Sequence, residues 1–191
     1  MKATPLLLLA SLVCASLAFA QQAPPQPSTP PAWRQAQRQD AAGTYSFTRF
    51  TLAGRFLSAP RDALGNRPSL VLDCIPTGRS HHKGRFLAAN LLIGTNPKVV
   101  YVEPDEIRGT SYYAKVAVQY RTDTKDEQRE EWLLGTTDKT AAAVPRNSLE
   151  GILRAHTLAI TADDEAGSQI EMQFDIPDPT SVEQACHIDE H

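Results

Sequence analysis

The most definite chemistry in this sequence belongs to two cysteines. Cys14 lies inside the apolar run Leu6 to Phe19, so Cys74 and Cys186 are the thiols left once that run is set aside. An even thiol count in an oxidising compartment is read as a disulfide. A Cys74–Cys186 bridge would close a loop over most of the chain, contributing about 4 kcal/mol on the loop-entropy argument. Two buried free thiols, or a pair of metal-binding thiolates, are the alternatives.

The histidines form two further groups. His81 and His82 stand beside Arg79, Lys83 and Arg85, around the segment PTGRSHHKG. There they could grip an anion or a metal, although a solvated polar loop is the simpler reading, since loops collect such residues. His187 and His191 have helix-like ligand spacing beside Cys186 and Asp189. They have no third fixed ligand, and a bridged Cys186 cannot also be a thiolate ligand. No metal and no cofactor is therefore expected.

Arg121, Asp123 and Trp132 are a third candidate set, lying in or near one strand pair. They could line a shared binding groove. The reading preferred is a hairpin whose Trp packs in the core and whose Arg and Asp pair across the turn. Tyr112, Tyr113 and Tyr120 read as strand packing, and Asp126, Glu127, Glu130 and Glu131 as a charged turn rather than an acid/base pair. The sequence has no Gly-x-Ser-x-Gly elbow, no His-Glu-x-x-His and no glycine-rich phosphate loop, so no catalytic residue is assigned.

The elements that must position these residues begin after a leader. One Lys, a short apolar core and Ala18-Phe-Ala20 before Gln21 are the parts of a secretory signal peptide over residues 1–20. The apolar run is shorter than the ~20 residues needed to span a bilayer, and no later stretch is long and apolar enough. Residues 21–43 read as a Pro- and Gln-rich linker, extended and solvated at first and polar thereafter. Residues 44–191 read as a single β-rich domain. The formal net charge of −3 offers no strong positive field for phosphates, so nucleic acid is not an expected partner.

Within the domain, Tyr45–Leu52 alternates as a half-buried strand, with Tyr45 and Phe47 on its apolar face and the later apolar residues joining after a register change. Ser69–Ile75 is apolar enough for a central strand. Segments 85–93 and 98–103 are further strands. Residues 112–121 alternate strictly, with Tyr112, Ala114, Val116, Val118 and Tyr120 on one side. Residues 129–134 pair back on them, and 157–162 with 169–176 form a second hairpin. Asn147-Ser-Leu-Glu150 and Thr180-Ser-Val-Glu183 each have a capping residue followed three later by Glu. The first opens an amphipathic helix with Leu149, Ile152 and Leu153 on one face, and the second a short final helix. The expected class is mainly β (α+β): a small antiparallel sheet or sandwich with one covering helix and a short C-terminal helix.

The order of these elements carries a resemblance. Leu70-Val-Leu-Asp-Cys74 is followed by a polar loop with Thr77, then by a strand ending Tyr120-Arg-Thr-Asp123. Next come a returning strand with Trp132, then Leu-Gly-Thr-Thr-Asp138, a Leu- and Ile-rich helix, a strand closing in Phe174-Asp-Ile176, and a final helix with Cys186. In this order, over residues 68–188, the chain resembles the periplasmic domain of the type VI secretion-associated VasI-like proteins and their exported relatives. It departs from them at Asp73, where the family has Arg, and at Pro177-Asp-Pro179, where the family has Gly-Leu. The resemblance implies a Cys74–Cys186 disulfide, a small exported β-rich domain and no known catalytic residues.

Together these readings lead to an exported, non-enzymatic interaction or accessory domain of the bacterial cell envelope, periplasmic or secreted. Its partner would be an envelope protein or a cell-wall component, bound through a sheet face or an exposed edge. The alternative is a hydrolase of envelope material with a site of dispersed Asp, Glu and His.

Overall fold

The computed structural model describes residues 30–58, 67–76, 85–104, 112–123, 125–135 and 139–186. The fold is mainly β, as expected. Among the described residues, eleven antiparallel strands form one sheet, accompanied by two helices.

The strands are β1 (Arg34–Gln39), β2 (Ser46–Ala53), β3 (Arg55–Ser58), β4 (Ser69–Pro76), β5 (Arg85–Leu92), β6 (Val99–Pro104), β7 (Tyr112–Thr122), β8 (Gln128–Leu134), β9 (Ala141–Ala143), β10 (Thr157–Asp163) and β11 (Gln169–Asp175). The helices are α1 (Arg146–Leu153) and α2 (Thr180–Cys186). The strands run in the order β1-β2-β4-β5-β9-β8-β7-β10-β11-β3, with β6 attached to β7 off this path.

That order closes on itself. β2 and β3 lie near opposite ends of it, yet Gly54 alone separates them in the chain. The sheet therefore curls until its two ends share one bent strand, whose first half pairs with β4 and whose second half pairs with β11. Glycine sits at the bend for a steric reason. A Cβ on Gly54 would lie 2.6 Å from Cε1 of Phe174 on β11, while its N–H donates to the Pro68 carbonyl at 2.8 Å. A glycine kink is a usual way to turn a strand at a barrel corner.

The curled sheet encloses the core. β4 is central, and Leu70, Leu72 and Cys74 meet Phe50 and Leu52 of β2, Leu91 of β5, Trp132 of β8, Ile160 of β10 and Phe174 of β11 in one buried cluster. Each large aliphatic side chain fully removed from water contributes about 1.5–3 kcal/mol. β7 behaves as its alternation predicts: Val116, Val118 and Tyr120 are buried, while Ala117 and Arg121 are exposed. Leu149, Ile152 and Leu153 of α1 face the core, as do Val182 and Cys186 of α2. Cys186 is bonded to Cys74 across 112 residues of sequence, with the Cα atoms 5.1 Å apart.

Several expectations need correcting. The sheet begins at Arg34, inside the segment read as linker, because β1 pairs with β2 in full register from Arg34–Thr51 to Gln39–Ser46. An edge strand needs no apolar face of its own, so its polar sequence RQAQRQ did not mark it as a strand. β2 has no register change. Thr48, Phe50 and Leu52 are its buried residues, whereas Tyr45, just before it, is exposed and its ring lies 6.3 Å from that of Phe47.

Neither helix uses the expected box. α1 begins at Arg146 behind Pro145, whose carbonyl accepts from the N–H groups of Ser148 and Leu149. α2 is capped from outside by Asp178, which accepts from the N–H and the hydroxyl of Thr180.

A carboxylate bracket and the cleft beside it

Glu130 organises the best-defined polar site. On β8 it alternates with Trp132 and Leu134, which places it on the strand's inward parity at the rim of the core. Its carboxylate accepts the Tyr120 hydroxyl of β7 at 2.9 Å and the Trp132 indole N–H at 2.8 Å. The Ser148 hydroxyl of α1 lies 2.9 Å from Oε1 and 2.7 Å from Oε2. The rings of Tyr120 and Trp132 pack tilted, with centroids 5.8 Å apart.

Opposing effects act on this acid. Desolvation pushes its pKa up, but hydrogen bonds from Ser148, Trp132 and Tyr120 outweigh that and hold the carboxyl below its ordinary range. The Tyr120 phenol moves upward, first through burial and then through its bond to the Glu130 carboxylate, with Ser148 opposing. Glu130 was expected in a charged turn; it is instead a bracket joining β7, β8 and α1. The strand parity of 128, 130, 132 and 134 was the signal that could have found it. Tyr120 packs as expected, and its hydroxyl has this further partner.

In front of the bracket, an open cleft of about 190 Å³ is lined by Tyr120, Thr122, Lys125, Asp126, Gln128, Asn147, Ser148 and Gly151. It lies between the β7–β8 turn and the exposed side of α1. Its lining mixes hydroxyls, amides and one charge of each sign. A Cβ on Gly151 would meet nothing within 4 Å, so no protein group requires a glycine there.

The other candidates are placed separately. Trp132 is 0 % exposed, so it is a core residue and cannot line a surface groove. Arg121 is exposed on β7 opposite Ala159 of β10. The expected Arg121–Asp123 pair is not made among the described residues. Asp123 turns the chain with φ of 49°, and its carboxylate accepts from the N–H groups of His156 and Thr157 at 2.9 and 2.8 Å. The Thr157 N–H first, then the His156 N–H and the Thr157 hydroxyl, hold this carboxyl below the usual range against a smaller desolvation effect. Backbone donors that need no lysine or arginine have thus replaced the expected partner. Arg79, His81 and His82 lie outside the described residues, as do His187 and His191.

Asp73 of β4 is buried and paired. Arg49 of β2 holds it through two hydrogen bonds of 2.7 Å, and the guanidinium carbon lies 5.6 Å from the Phe47 ring centroid. The hydrogen bond to Asp73 raises the Arg49 pKa against desolvation. Neither residue was singled out as a pair from the sequence.

Among the described residues, no three His, Cys, Asp or Glu side chains converge as metal ligands would. No helix among them is long and apolar enough to cross a membrane. No protein-family model, no characterised protein and no solved structure matches this chain.

Proposed function

We propose that this chain is an exported accessory domain of the bacterial cell envelope that binds another envelope component without altering it chemically. The observation that carries the reading is how Glu130 is used. A general acid needs a raised pKa and a reachable proton, whereas this carboxylate is held ionised and its two oxygens are engaged by three donors. Such a group fixes the wall of a recognition cleft. The amides of Gln128 and Asn147 and the charges of Lys125 and Asp126 are the groups left to meet a polar partner there.

The Cys74–Cys186 bond supports export, since such bonds persist in oxidising compartments. A place beside a type VI secretion apparatus belongs to the same proposal and rests on the VasI-like order of elements.

The test combines location with retention. Cell fractionation should recover the protein outside the cytoplasm, with its N-terminus at Gln21 and both thiols protected from alkylation. The purified protein should cosediment with isolated cell-wall sacculi or envelope membranes and release no soluble fragments. Gln128→Ala and Asn147→Ala should weaken that retention while leaving the fold unchanged. Steady release of fragments, lost in Glu130→Gln, would overturn the proposal in favour of a hydrolase.

A further inference from the structure

Two residues bordering the cleft beside Glu130 have no explanation within the described protein. Gly151 stands in α1 without a positive φ, where glycine weakens a helix relative to alanine. Nothing lies within 4 Å of the position its Cβ would take. Neither backbone strain nor a neighbouring side chain therefore calls for glycine. Thr122, at the end of β7, is 7 % exposed and lines the cleft, yet its hydroxyl has no hydrogen-bond partner among the described residues. Buried polar groups are paired as a rule. A ligand in the cleft explains both residues at once, by bonding to the Thr122 hydroxyl and lying against the bare backbone at Gly151.

The chemistry of the lining selects that ligand. Tyr120 and Ser148 donate to Glu130, which leaves their oxygens as acceptors. Gln128 donates its amide nitrogen to the Asp126 carbonyl at 3.4 Å, which leaves its side-chain oxygen as an acceptor too. The Asp126 carboxylate adds another. Such a set of acceptors disfavours a carboxylate or a phosphate, whereas hydroxyl groups donate to it and accept in turn from Thr122 and Asn147. Lys125 offsets Asp126, so the rim offers no net charge to an ion.

Size narrows the choice further. At about 190 Å³ the cleft is smaller than the roughly 300–1,000 Å³ of pockets that enclose a whole small molecule. It therefore takes one unit of a polymer whose remainder stays in solvent.

We infer, resting on the proposed envelope role, that the cleft seats one uncharged sugar unit of a cell-wall glycan, its ring against Gly151 and a hydroxyl on Thr122.

The experiment is calorimetric titration of the purified, oxidised protein with two probes prepared from cell-wall sacculi: glycan strands freed of peptide by an amidase, and the stem peptides so released. Wild type is expected to bind the glycan strands equally well at low and high salt, and the stem peptides should not compete. Gly151→Ala should bind the strands roughly tenfold more weakly, because its methyl group takes the place of the ring. The same variant should melt at a higher temperature than wild type, a combination that a purely structural glycine would not give. Thr122→Val keeps the shape of the side chain, and loss of its hydroxyl should weaken binding roughly fivefold.

Glycan binding undiminished in Gly151→Ala would overturn the inference, as would binding of the stem peptides instead, or an affinity that falls steeply with salt. Retention on intact sacculi without binding to the glycan strands would sink this inference and leave the accessory role standing. Retention on no envelope fraction would sink both.

Discussion

The Ser148 hydroxyl of α1 bridges both carboxylate oxygens of Glu130 on β8, 2.9 and 2.7 Å away. A helix and a sheet are joined here through one acid, which also holds Tyr120 and Trp132.

Removing the acid strands its donors. In Glu130→Ala the Trp132 N–H, the Tyr120 hydroxyl and the Ser148 hydroxyl lose their shared acceptor at the edge of the core, and the expected loss of stability is about 3 kcal/mol. Ser148→Ala removes a single donor and should cost about 1 kcal/mol. Urea unfolding followed by Trp fluorescence would measure both, and a loss for Glu130→Ala no larger than for Ser148→Ala would contradict the bracket.

Acid should weaken the fold through the same group. Glu130, Asp123 and Asp178 all have folded pKa values below their ordinary ones. Such groups stabilise the native state above the unfolded values of about 3.9 for Asp and 4.3 for Glu, and that stability is lost as pH falls through the lower folded values. The urea midpoint is therefore expected to drop below about pH 4, and to drop less steeply in Glu130→Gln.

Reduction should release the C-terminal helix before the sheet. The Cys74–Cys186 link spans 112 residues, for which loop entropy amounts to about 4 to 5 kcal/mol. α2 is a short helix, so with both cysteines replaced by Ser its amides should exchange fastest, while those of β7 and β10 remain protected. Hydrogen exchange mapped by segment would show this.

Two glycines should respond in opposite directions to Ala. At Gly54 the added carbon meets the Phe174 ring at 2.6 Å, and the strain at the closing bend should cost about 1–3 kcal/mol. Phe174→Leu should recover part of it in the double variant. At Gly151 the added carbon meets nothing within 4 Å, so Ala should raise stability by about 0.5–1 kcal/mol through helix propensity. Thermal melts of the three variants decide the signs.

Local pattern alone determined the strands that bury one face, the amphipathic side of α1 and the second hairpin. Side-chain alternation and helical periodicity are written into a handful of neighbouring residues, as residues 112–121 show. The cysteine pair was legible from its even count, and Trp132 from its place on a strand facing the core.

Tertiary structure decided the rest, because those relationships join residues far apart in sequence. Polar β1 became a strand once β2 offered it an edge. Gly54 became a closing corner because β11 comes round to meet β3. Asp123 took its donors from residues 33 and 34 positions away rather than from Arg121. Glu130 gathered partners 10, 2 and 18 positions away into one site. A charged residue near a turn looks the same in sequence whether water or three donors will surround it. Only the packing of β7, β8 and α1 settles which, by deciding who reaches the carboxylate first.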